Sequence, residues 1–139
     1  MRQAQKEITV TTSGQGLYEI SAAAQALARS SGITTGQLTA YCRHTSASLV
    51  IQENADPDVE RDLLAFFRRL VPEGDPLYVH TIEGPDDMPA HVKSALTQTS
   101  ITIPITGSEL QLGTWQGLFL FEHRTRPHER KIVLHAIGE

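Results

Sequence analysis

Leu118-Phe119-Leu120-Phe121 is a run of four large apolar residues, preceded by Gly113-Thr114-Trp115-Gln116-Gly117 and followed by Glu122. Successive side chains of a strand point to opposite faces, so this one is apolar on both and needs cover on both. In a chain of 139 residues one cover is a second sheet or a helix. The other is expected from a neighbouring subunit.

The rest of the pattern supplies those elements. Gln5 to Thr12 alternates, with Ile8 and Val10 on one face, and Leu17 to Ile20 follows the Gly14/Gly16 turn. Ser21 can cap a helix to about Arg29, with Ile20, Ala23, Ala24 and Leu27 at helical spacing and Gly32 as its stop. Leu38 to Arg43 and Leu49 to Gln52 read as extended. Asp56 and Pro57 are an N-cap and first residue for a helix striped by Val59, Leu63, Phe66, Phe67 and Leu70. Arg68 and Arg69 suit its last turn. A short strand is expected over Leu77 to His80. A third helix starts at Asp87 or Met88, striped by Met88, Val92, Ala95 and Leu96. Strands follow over Ser100 to Ile105, Glu109 to Leu112, Leu118 to Glu122 and Arg130 to Ile137, with Arg124 to Glu129 as a loop. Hairpins interrupted by helices predict an α+β fold with two layers of antiparallel strands and three helices, in one domain over residues 1–139.

Composition narrows the function. A 40% hydrophobic, 20% charged chain can fold around a core. A formal net charge of −4 gives no basic excess for nucleic acid or an anionic membrane. The single cysteine, Cys42, excludes an intrachain disulfide. Met1 to Glu7 lacks the apolar core of a signal peptide, and no apolar run is long enough to span a bilayer. These features predict a soluble cytoplasmic protein, with neither nucleic acid nor membrane as partner.

No tight metal motif is present, but His44, His80 and His91 all fall at element ends, where sites are commonly built; the competing readings are a partly buried His44 bonded to backbone and a His80 that is simply a loop residue. Asp87 lies four residues before His91, so a carboxylate can orient that imidazole. The competing reading is an N-terminal Asp beside a surface His. Cys42 shares a strand face with His44, yet residues two apart point parallel, which favours a buried apolar cysteine. Trp115 anchors a hairpin or an interface, or stacks on a substrate. Glu122, directly after the apolar run, needs a partner, and Arg130 is the candidate for a structural pair; an acid/base role is the alternative. His123, His128 and His135 are weaker candidates, with His128 placed in a solvated loop. No glycine-rich phosphate loop occurs, so a phosphate would need Arg43, Lys93, Arg130 or a metal.

The residues His44-Thr45-Ser46-Ala47-Ser48-Leu49, Gln52-Glu53-Asn54-Ala55-Asp56-Pro57-Asp58, His80, Glu83-Gly84, Asp86-Asp87-Met88-Pro89-Ala90-His91, Ile103-Pro104-Ile105, Leu112-Gly113-Thr114-Trp115-Gln116-Gly117, Glu122 and Arg130 resemble, in this order, the YjbQ-like family. That family is associated with secondary thiamine-phosphate synthase activity. The resemblance implies a homotrimer whose sheets pack around a three-fold axis. It also implies a transferase-like enzyme on a phosphorylated metabolite. His44, His80, His91, Asp87 and Glu122 form the expected catalytic set, with Thr45, Ser46, Asn54, Gln116 and Arg130 around the substrate. His44, His80 and His91 are expected to converge on a divalent metal, Zn²⁺ or Mg²⁺. Family patterns carry Asn near Asp87, so the acid here makes the site more anionic. The alternative is a trimeric metabolite- or metal-binding protein without catalysis.

Overall fold

The computed structural model describes every residue, Met1–Glu139. The chain runs β1 (Arg2–Ser13), β2 (Gly16–Glu19), α1 (Ser21–Ser31), β3 (Thr35–Cys42), β4 (Ala47–Glu53), α2 (Pro57–Leu70), α3 (Asp87–Leu96), β5 (Ser100–Thr106), β6 (Glu109–Leu110), β7 (Gln116–Glu122) and β8 (Pro127–Gly138). The strands form a five-stranded sheet, β1-β8-β3-β5-β6, and a three-stranded sheet, β2-β7-β4. All pairings are antiparallel. This is the α+β architecture with three helices that the sequence predicts.

Alternation along the strands builds the core. Leu38, Ala40 and Cys42 of β3, Ile101, Ile103 and Ile105 of β5, and Ile132, Leu134 and Ala136 of β8 are all buried. They join Ala24, Leu27 and Ala28 of α1 and Leu49, Leu118 and Leu120 of the smaller sheet in one cluster. Each large aliphatic side chain buried there contributes about 1.5–3 kcal/mol. A one-residue slip would turn a whole set into water, so the register is strongly specified. Where β3 meets the end of β8, Gly36 faces Gly138. A Cβ on Gly36 would lie 2.2 Å from the Ile137 carbonyl oxygen, and one on Gly138 2.3 Å from that of Thr35. Only glycine fits at either position.

β7 obtains both covers from its own chain, so the neighbouring subunit expected as its second cover is replaced there by α2. Leu118 and Leu120 face the shared core, while Phe121 packs edge-on against Phe67 of α2 with centroids 5.3 Å apart. The α2 N-terminus is capped as expected, with Asp56 Oδ1 accepting the Asp58 N–H at 2.9 Å. Its apolar stripe is only partly used: Phe66 and Leu70 are exposed, and Val59, Leu63 and Phe66 line a shallow groove.

Several local expectations are corrected. Leu77 to His80 forms no strand. Asp75 closes a turn there with its carbonyl and side chain, and Leu77, Val79 and Ile82 are 85%, 95% and 91% exposed. The run is apolar enough for a strand, but neither sheet includes it. Ser21 does not cap α1; its hydroxyl donates to Glu19 and accepts the Leu118 N–H, tying the helix to β7. β6 stops at Leu110, and β8 begins at Pro127, which puts His128 on a strand opposite Thr12 rather than in a loop. In α3 the buried face is Asp87, Pro89, Ala90 and Lys93, whereas Ala95 and Leu96 of the expected stripe are exposed. A helix that buries an acid in its first turn is organised around a site as well as a core. No helix is long and apolar enough to cross a membrane.

Candidate functional site

The site lies at the end of the smaller sheet where Ala47 pairs with Glu122. Beyond Glu122 the chain leaves β7 through His123, Arg124 and Thr125, and the α3 N-terminus packs against this exit. Asp86 and Asp87 are both buried. Their charge is met by Arg124, whose Nε donates to Asp86 Oδ2 at 2.9 Å and whose Nη1 donates to Asp87 Oδ1 at 2.8 Å. Arg124 Nη2 donates to the Glu83 carbonyl at 2.9 Å, so each of the three guanidinium nitrogens has a partner. Thr125 adds its N–H to Asp86 Oδ2. Burial alone would raise the Asp86 carboxyl, but bonds from Arg124 and Thr125 outweigh it and hold it at about 2.

With Oδ1 held by Arg124, Asp87 turns Oδ2 toward two imidazoles. His80 Nε2 lies 2.7 Å and His91 Nε2 3.1 Å from that oxygen. The ligand-capable atoms of His80, Asp87 and His91 all lie within 4.8 Å of one another. His91 Nδ1 is 3.0 Å from the Thr45 carbonyl oxygen. Both nitrogens of His91 therefore face acceptors. A neutral imidazole has only one N–H, so a proton or a bound cation between His91 Nε2 and Asp87 would satisfy the second contact. The Asp87 carboxyl is held below its ordinary range: burial pushes it up, and the His80 hydrogen bond, the neighbouring His91 and Arg124 pull it further down.

Glu122 is fully buried in a second charged network. Arg130 grips it through Nε, at 2.8 Å to Oε1, and Nη2 to Oε2; Thr12 Oγ1 donates at 2.7 Å and the Arg124 N–H at 3.2 Å. Burial raises its carboxyl, but Arg130 and Thr12 bring it below the usual range. Glu122 and Arg130 thus form the ion pair that the sequence suggests, and each hydrogen bond of the carboxylate is to a protein group. Next to it His123 is buried with Nε2 2.8 Å from Ser48 Oγ. Burial, then the Lys93 charge, push its imidazole down to about 3.

Residues 6–139 match the family described as UPF0047 protein YjbQ-like. The chain belongs to this family. A UPF0047 protein of Synechocystis sp. is 54% identical over 138 residues, covering 99% of this chain and 94% of that protein. The UPF0047 protein YjbQ of Escherichia coli O157:H7 is 39% identical over 136 residues, covering 97% and 98%. A crystal structure of a YjbQ/UPF0047 family protein from Clostridium acetobutylicum superposes with a TM-score of 0.87 at 36% identity, covering 95% of this chain and 99% of that one.

Within this family fold the residues singled out in the sequence fall into three groups. His80, Asp87 and His91 come together. His44, Thr45, Ser46 and Arg130 line an adjoining pocket of about 770 Å³ that His91 also lines. His44 is not the third member of the imidazole cluster: its Nε2 accepts the Lys131 N–H at 2.7 Å, replacing a rung of the β3–β8 ladder, and a carboxylate stands where a third imidazole was expected. Burial, followed by the Arg130 charge, lowers its proton affinity. Asn54 and Gln116 are elsewhere. Glu53 pairs with Gln116 at the far end of the strands whose near end is Ala47 and Glu122, about 20 Å away at strand rise. There Gln116 Oε1 accepts the Gly113 N–H and Asn54 reaches Glu19. Cys42 is buried, with its thiol pushed up by burial; its Sγ donates to the Ala47 carbonyl and meets the His44 backbone rather than its ring. Sequence reasoning missed Arg124. Nothing local pairs it with an acidic doublet 37 and 38 residues away; the one signal was that a buried Asp-Asp pair demands a cation.

Proposed function

We propose that His80, Asp87 and His91 form a divalent-metal centre in a small-molecule enzyme, with the pocket lined by His44, Ser46 and Arg130 as the substrate chamber. The observation that carries this reading is His91, whose two ring nitrogens both face acceptors. Two imidazoles and a carboxylate are a borderline donor set suited to Zn²⁺ and related ions. Asp87 is oriented for the role by Arg124, and His91 by the Thr45 carbonyl. A bound metal would supply Lewis acidity and an activated water at neutral pH. The reaction implied by the family resemblance joins a pyrimidine pyrophosphate to a thiazole phosphate, and the assembly it implies is a homotrimer. The exposed Leu77, Val79 and Ile82 around His80 are apolar surface that such an assembly would cover.

Zinc titration of chelator-treated protein tests the centre. Asp87→Asn and His91→Ala are expected to weaken zinc by about 10- to 100-fold. Protons compete with the metal for its ligands, so binding should weaken on acidification. Zinc affinity unchanged in both variants would overturn the ligand set. Turnover of the two thiamine precursors, with Zn²⁺ or Mg²⁺, tests the reaction; zinc binding without turnover leaves a metal-binding protein. Light scattering showing only monomer would remove the trimer.

A further inference from the structure

Arg130 is only 4% exposed, yet one of its nitrogens is unclaimed. Nε and Nη2 hold Glu122, and Nη2 also donates to the carbonyl and hydroxyl oxygens of Ser46. Nη1 bonds to nothing in the protein. No fully enclosed side-chain nitrogen or oxygen in the chain lacks a partner, so Nη1 reaches the pocket that Arg130 lines. The Glu122 grip fixes the guanidinium by its opposite edge and so aims Nη1.

The neighbours share this character. His44 accepts the Lys131 N–H through Nε2, which places the proton of the neutral ring on Nδ1, and that N–H has no acceptor. Ser46 Oγ accepts from Arg130, leaving its hydroxyl hydrogen free. Thr45 adds another uncommitted hydroxyl to the lining. The pocket wall contains no carboxylate. Four donors without acceptors therefore surround one cavity whose wall continues to His91.

We propose that this pocket is an oxyanion subsite for a phosphoryl group, held by Arg130 Nη1, His44 Nδ1, Ser46 Oγ and Thr45 Oγ1 beside the His80/Asp87/His91 centre. The inference deepens the reading proposed above and rests on it for the chemistry next door. A phosphoryl group has three terminal oxygens to engage donors from several directions; a carboxylate has two in one plane. The reacting end of such a substrate would lie toward His91.

The test is titration of chelator-treated, ¹⁵N-histidine-labelled protein with inorganic phosphate, with sulfate and acetate as comparison anions. The expected result is a saturable shift of the His44 Nδ1 resonance with phosphate and sulfate, and a weaker one with acetate. Arg130→Lys should weaken phosphate by roughly tenfold or more, and Ser46→Ala by a few-fold. Ser46→Ala leaves the Glu122–Arg130 pair intact, so it decides the matter if Arg130→Lys does not fold. No saturable shift at His44, phosphate affinity unchanged in Ser46→Ala, or acetate binding as tightly as phosphate would overturn the proposal. Zinc titration is read separately. Zinc binding without a phosphate response removes the subsite alone; a phosphate response without zinc binding removes the metal centre alone.

Discussion

The two ends of the three-stranded sheet use polar residues in opposite ways. At the Ala47/Glu122 end, four acids and bases — Glu122, Arg130, Asp87 and Arg124 — are buried in interlocking ion pairs. At the Glu53/Gln116 end, Trp115 is 63% exposed and the polar side chains close local turns in water. The sequence makes both ends conspicuous. Burial separates them: charge removed from solvent must be paired, and paired buried charge is what positions the ligand-capable groups.

The largest expected difference is in stability. Glu122→Ala leaves Arg130 buried without its partner and is expected to cost about 3–5 kcal/mol in urea unfolding. A loss below about 1 kcal/mol would mean that water reaches the pair and that the two ends are not so different.

Acid should damage the buried end next. His123 titrates near 3 in the folded chain and near 6.5 unfolded, so the folded-state value is depressed. Its stabilising contribution is complete above about 6.5 and declines as pH falls toward 3, at up to about 1.4 kcal/mol per pH unit. In His123→Gln, which keeps a neutral partner for Ser48, that slope should flatten; identical pH profiles for the two proteins would contradict it. Asp86 adds a lower window. Its folded value of about 2 lies below the unfolded 3.8, so about 2 kcal/mol present above pH ~4 is lost as pH falls toward 2. Arg124→Gln should abolish most of that contribution, measured as the loss of the wild-type stability change between pH 4 and 2.

What was readable in advance follows the same division. The alternation of Ile101, Ile103 and Ile105, the Asp56-Pro57 start of α2 and the two-sided run of β7 each carry their own local cause, and they fold as the pattern says. Leu77 to Val79 carries the same signal but joins neither sheet, a tertiary fact that no local pattern holds. The site was half legible. Asp87 and His91 are drawn together by one helical turn, which their spacing suggests, while His80 joins them through the loop before the helix. That His44 serves a backbone N–H of Lys131, 87 residues away, and that Arg124 orients Asp87, depend on sheet packing.

The smallest expected effect lies at the other end. Trp115→Ala removes a side chain that is mostly in water, so the stability change should be within about 1 kcal/mol. Gln116→Ala removes one exposed hydrogen bond to the Gly113 N–H and should cost about 0.5–1 kcal/mol. Both positions are about 20 Å from the Glu122 end of the same sheet, so neither substitution should alter zinc or phosphate binding. Altered binding with unchanged stability would break the contrast in an informative way. Within one chain no contact joins these residues to His91 or Arg130. The effect would have to travel between copies, with the Trp115 end of one subunit placed against the pocket of the next. Repeating the titration across a dilution series would then separate the cases: an effect that vanishes as the assembly dissociates belongs to the neighbour, and one that persists belongs to the fold of the single chain.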